Sequence, residues 1–185
     1  LTCVSHAQQA YPSPEDAATA LAAAVKTGAR NTILKVLGKD AEDIIQSGDD
    51  VADAEMRQRF LSAYDARHSI KADGNKKATL IVGADDFPFP IPLVNSKNGW
   101  EFDSAAGRIE VLYRRIGRNE LDAIQTALAY VDAQNEYAEK DRTGEGVGTY
   151  AQRIVSVPGK KDGLFWRDDR DPSPPGELAA QASAE

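Results

Sequence analysis

Phe87-Pro-Phe-Pro-Ile-Pro-Leu-Val94, followed by Asn95-Ser-Lys-Asn-Gly-Trp100-Glu-Phe-Asp103, decides the fold class of this chain. It reads as two β-strands, Phe87 to Val94 and Trp100 to Asp103, joined by a tight turn. The prolines stand where a central strand does not tolerate them, because proline gives no N–H to a ladder. No nucleophile, general base or metal cluster lies within the stretch.

Upstream, Lys77 to Val82 is rich in β-branched residues and reads as a third strand. Before it, Asp50 caps a long helix that ends near Ile70. Met56, Phe60 and Tyr64 recur at every fourth position of that helix, with Leu61 adjacent, which makes one apolar stripe. Further back, Tyr11-Pro-Ser-Pro-Glu-Asp16 is a helix start. Ser13 caps it, Pro14 fits the first position, and Glu15 and Asp16 suit the positive end of the dipole. Gly28 ends this helix. Two shorter helices are expected at Asn31–Leu37 and Asp40–Gln46.

Downstream, the spacing predicts a basic helix over Arg108–Ile116, a break at Gly117, and a new helix capped by Asn119. Leu121, Ile124, Leu128 and Val131 repeat at helical spacing along it. A Gly-rich loop, Asp141 to Gly148, leads to a helix expected at Tyr150–Val155. Leu164-Phe-Trp166 reads as extended, and Glu177 to Glu185 as a helical tail. The expected fold is α+β: N-terminal helices packed on a small antiparallel sheet, followed by a mainly helical extension. The expected division is 1–11 leader or signal-peptide remnant, 12–107 α+β domain, and 108–185 helical extension.

The chain has 185 residues, 42% hydrophobic and 28% charged, with a net charge of −7. That composition supports a real core. The acidic balance excludes nucleic acid or an anionic membrane surface as a principal partner, since both need a basic patch. No run of about 20 apolar residues exists, so no transmembrane helix is expected. Cys3 is the single cysteine, so no intrachain disulfide forms. Ser5-His6-Ala7 places small residues as at a signal-peptidase site. This makes the protein exported, periplasmic or secreted, with cleavage expected after Ala7.

Further strings carry a resemblance: Arg114-Arg-Ile-Gly-Arg-Asn-Glu-Leu-Asp-Ala-Ile124, Tyr130-Val-Asp-Ala-Gln134, Tyr150-Ala-Gln-Arg153 and Pro158-Gly-Lys-Lys-Asp-Gly-Leu-Phe-Trp166. With Phe87–Asp103 they make the chain similar to a family of exported bacterial proteins known as a domain of unknown function, number twenty-nine fifty. The resemblance implies export and no activity. It also implies that the chain is an N-terminal portion, because family members continue into a Tyr- and Gly-rich β region. By order of elements, residues 13–104 resemble nuclear-transport-factor-2-like and cystatin-like domains, an analogy of fold alone.

Four groups of residues are candidates for chemistry. Tyr64, His68, Phe89 and Trp100 would line a concave face between the sheet and the long helix, taking an unidentified small molecule or envelope component. Arg115 and Arg118, beside Arg114, would bind an anion with the free amides expected after Asn119; more often such residues pair with surface acids. Asp141, Thr143 and Glu145, with the carbonyl of Val147, follow the first positions of a calcium loop. Gln152 stands where a bidentate carboxylate should close it. Calcium is the one cofactor the sequence offers. Finally, Asp85-Asp86 and Glu120 with Asp122 are paired carboxylates of the kind glycoside cleavage needs, though turn and cap roles explain them as well. The first reading is a non-catalytic binding or scaffold module. The alternative is a carboxylate-dependent hydrolase of envelope polymers, its site completed by the missing C-terminal region.

Overall fold

The Pro-rich run does not form one strand. A computed structural model of the chain describes residues 8–168 and 170–174. In it, β2 (Lys77–Val82) pairs antiparallel with two separate pieces of the run. Phe87–Pro88 is β3 and meets Ile81 and Val82; Leu93–Ser96 is β4 and meets Lys77 and Ala78. Between them, Pro90 and Pro92 have no N–H to give, so the chain leaves the ladder and returns. Residues 89–92 are thus not strand, contrary to the continuous Phe87–Val94 strand expected, whereas the turn at Asn95–Gly99 does lead into β5 (Gly99–Phe102).

A further strand lies where the sequence placed a helix end. The long helix α4 (Asp50–Ala66) stops at Arg67, and His68–Asp73 forms β1, paired with β2 over its whole length. The cap of α4 is Asp49, whose carboxylate accepts from Val51 and Ala52 N–H. The sheet order is β1-β2-β4-β5, with β3 beside β2. Along β2, Ala78, Leu80 and Val82 are buried and alternate with less buried neighbours, the period of a half-covered strand.

Helices cover that buried face. α1 (Pro14–Thr27) is capped by Ser13, whose Oγ accepts from Asp16 N–H, and it ends at Gly28 with φ 66°. Its inner face is Ala17, Ala18, Leu21, Ala22 and Val25, and the small residues let it lie close to its neighbours. α2 (Arg30–Leu37) adds Ile33, Val36 and Leu37. A 3-10 turn at Lys39–Ala41 and α3 (Glu42–Ile45) lead on to α4. Gln8 to Tyr11, assigned from sequence to the leader, are tied into this domain. Gln8 Nε2 donates to Phe102 O at 2.7 Å, and Tyr11 exchanges two backbone bonds with Trp100. Residues 1–7 and the expected tail helix lie outside the described residues.

Asp53 is a buried carboxylate in α4. It accepts from Ser47 N–H and Ser47 Oγ. The Ser47 backbone N–H bond, then the hydroxyl bond, holds its carboxyl below the ordinary value. A depressed folded pKa contributes stability above the unfolded value, lost as pH falls through the folded one. The melting temperature is therefore expected to fall more steeply with acid below about pH 4 in the native protein than in Asp53→Asn. Parallel acid profiles of the two would count against this role.

The chain divides into two units, Leu1–Arg115 and Ile116–Glu185. The division falls inside α5 (Ser104–Ala138), a single helix. The expected break at Gly117 does not occur, and Asn119 lies in mid-helix. In the second unit, Tyr137, Ala133, Ala151, Leu164 and Trp166 make a small core. The expected helix at Tyr150–Val155 is instead β6 (Arg153–Val155), paired in parallel with β7 (Gly163–Phe165). Arg142 lies over the Trp166 ring at 4.8 Å and pairs with Asp171 at 3.5 Å.

Candidate functional site

A line of rings runs through the first unit. Tyr64 and Phe60 have centroids 5.9 Å apart, Phe60 and Phe89 5.4 Å, and Phe89 and Phe102 6.1 Å. The helical spacing of Met56, Phe60 and Tyr64 puts them on one side of α4. Tyr64, at its C-terminal end, is buried. Phe60 is half-buried and Met56 is exposed at the rim. Phe89 reaches Phe60 because the chain has left the ladder after Pro88, while its own N–H still donates to Leu80 O at 2.8 Å.

Beside Phe60 and Phe89 the packing is incomplete. A hollow of about 90 Å³ lies between α4, the α1–α2 pair and the 89–91 segment. Leu21, Val25 and Ile33 line its inner side; Ile44 and Ile45 of α3 flank it. Among the described residues Arg57 is the one charged side chain on its lining, and it also borders a polar hollow of about 170 Å³ containing Asp50 and Asp53. An apolar hollow open to solvent offers a short aliphatic group or small ring a place to leave water.

Of the ligand-binding candidates named from the sequence, Phe89 alone lines this hollow, beside Met56 and Phe60 of the apolar stripe. Tyr64 belongs to the core. His68 opens β1 rather than ending the helix; its ring stacks on Tyr64 at 3.9 Å, and Nδ1 meets Tyr64 O at 2.9 Å. Trp100 sits in β5, half-buried against the core. Arg115 borders a separate shallow hollow with Arg108 and Asp43, and Arg118 is exposed on α5. The free amides expected after Asn119 do not exist, because α5 is continuous and its N–H groups are bonded within it. Arg114 donates to Glu110 and to Pro88 O and lies over Phe87 at 5.0 Å, so it clamps β3. Sequence reasoning missed Arg57, Ile44 and Ile45. The adjacent isoleucines at the end of a short helix were the available signal.

The proposed calcium residues sit in an open loop. Asp141 accepts from Gly144 N–H at 2.7 Å, closing a local turn, while Thr143, Glu145 and Val147 are exposed. Among the described residues no three His, Cys, Asp or Glu side chains gather as a metal site. The second unit has a larger hollow, about 560 Å³, bordered by Lys161 and Asp168. Lys161 Nζ is held by Asp168 at 3.0 Å and Asp171 at 2.9 Å, and its bonds keep both carboxyls below the usual range. Its charge is spent within the chain.

The class these features define is α+β, with a helix-covered antiparallel sheet and one small apolar hollow at their junction. The chain belongs to the family described as protein of unknown function (DUF2950), whose model matches residues 8–185. No curated protein and no solved structure matches it. Among the described residues no helix is long and apolar enough to cross a membrane.

Proposed function

We propose that this protein is an exported, non-catalytic binding or scaffold module of the cell envelope. It takes an apolar group of a small molecule or envelope component into the hollow beside Phe60 and Phe89. The observation that carries the reading is that hollow: an opening lined by apolar side chains, with Arg57 at its rim. Export is supported by Ser5-His6-Ala7 and by the resemblance to exported proteins. The hydrolase alternative needs two acids facing across a cleft. Of the acids it invoked, Asp85 is exposed, Asp86 pairs with Arg67, and Glu120 and Asp122 are exposed on α5. The binding reading is therefore preferred.

Met56 is the only methionine and lines the hollow, so its methyl group is a single NMR reporter. Titration with hexanol and with hexanoate is expected to shift that resonance saturably. Ile45→Phe, which fills the hollow, is expected to remove the shift without unfolding the protein. The difference between the two probes reads the contribution of Arg57. A Met56 methyl that stays unmoved up to the solubility limit of both probes would end this reading.

A further inference from the structure

The small core of the second unit uses one side of α5. Ala133, Gln134 and Tyr137 are buried there, and Gln134 holds Ala151 through two bonds, at 3.0 and 2.9 Å. A second apolar row is uncovered. Leu121, Ile124, Leu128 and Val131 are 61%, 56%, 61% and 52% exposed. Their spacing of three, four and three is that of the a and d positions of a heptad. Leu128 lies nine residues from Tyr137, which at about 100° per residue is half a turn round the helix. From Arg118 to Asp132 every residue of α5 is exposed and the buried contacts begin at Ala133, so the row is uncovered along its whole length. Single exposed apolar residues need no explanation; four in line mark an interaction surface.

We propose that this row is a self-association surface, on which two copies of the chain pair their α5 helices antiparallel. Charge decides both partner and direction. With Leu121 and Leu128 at a, and Ile124 and Val131 at d, the flanking e positions are Arg118, Gln125 and Asp132. An antiparallel register that sets Leu121 on Val131 of the second copy also sets Ile124 on Leu128 of the second copy. The same register brings Arg118 opposite Asp132 of the second copy, and two-fold symmetry repeats the pair. Both side chains are exposed and available. A parallel pairing matches Glu120 with Gln125 and Ala127 with Asp132, and gains no ion pair. The sequence is self-complementary in one orientation, so a second copy is the occupant that fits.

Sedimentation equilibrium of the full chain over about 5 to 500 µM reads the association directly. A dimer is expected. Leu128→Asp is expected to give a monomer with unchanged far-UV circular dichroism. Arg118→Asp and Asp132→Arg are each expected to weaken the dimer about tenfold or more, and the double swap to restore it. With Cys3 replaced by Ser, oxidation is expected to cross-link an equimolar mixture of Leu121→Cys and Val131→Cys chains, but not Leu121→Cys chains alone. A monomer at every concentration overturns the proposal. So does a dimer indifferent to Leu128→Asp, or a charge swap no better than its single changes. Should Leu128→Asp fail to fold, the swap series decides alone. A monomer that instead recruits another envelope component through this row also overturns it.

Discussion

Phe102→Ala is expected to cost the first unit about 3–5 kcal/mol. The ring is 2% exposed and is among the largest fully buried side chains of the chain. It is fixed on one side by the β4 ladder, where it faces Leu93, and on the other by the edge of Phe89 at 6.1 Å. Truncation removes apolar area and leaves a cavity, and neither a paired strand nor the edge-on Phe89 ring moves readily to fill it. A domain of this kind holds about 5–15 kcal/mol in total, so this one change takes a large share. Urea unfolding followed by Trp100 fluorescence, in a Trp166→Phe background, measures it. Phe102→Leu keeps most of the volume and is expected to recover the larger part. A loss below about 1 kcal/mol would show that the ring does not carry the packing described. The Met56 methyl signal is expected to move as well, because Phe89 is a wall of the hollow.

Gly99→Ala is expected to be the second most damaging change, by a different route. Gly99 has φ 121°, a conformation that side-chain-bearing residues avoid, and a methyl group there would stand 2.5 Å from Tyr11 O. The backbone term is about 1–2 kcal/mol. The contact adds to it by breaking the paired Tyr11–Trp100 bonds of 2.9 and 2.8 Å, each worth about 1 kcal/mol. A total near 2–4 kcal/mol follows. Gly74→Ala is the control: its φ is also positive, but nothing lies within 4 Å of the added methyl, so about 1 kcal/mol is expected. Hydrogen exchange separates the two terms, since Gly99→Ala should speed exchange at Tyr11 and Trp100 and Gly74→Ala should not. Equal losses from both glycines would show that the close approach to Tyr11 contributes nothing.

What could be read from the chain was what is local. Ser13, Pro14 and Gly28 marked the ends of α1, and β-branched composition marked β2, because caps and local preference act within a few residues. The failures lie where distant partners decide. His68–Asp73 has no strong preference of its own; six pairings with β2 make it a strand. Tyr150–Val155 is turned from helix by pairing with β7. Gly117 costs a helix only about 1 kcal/mol, and the good helix formers on either side carry α5 through it. At the hollow, Phe89 was legible because an aromatic in a Pro-rich stretch stands out. Tyr64 and Trp100 were read as lining because aromaticity alone does not tell core from cleft. Arg57 was not legible: what places it on the lining is the meeting of α4 with the α1–α2 pair and with Ile44 and Ile45 around one hollow, which leaves no mark in periodicity.

The attachment of Tyr11 to Trp100 bears on how the protein behaves in a crowded compartment. Open sheets invite strangers to add a strand at their margins. Here β5 is tied at that margin to the N-terminal segment by the Tyr11–Trp100 pair, while the opposite margin, β1, displays His68, Lys71 and Asp73. Neither border offers a bare apolar template: charged side chains on β1 and the Tyr11 bridge on β5 both oppose fibrous growth by strand addition.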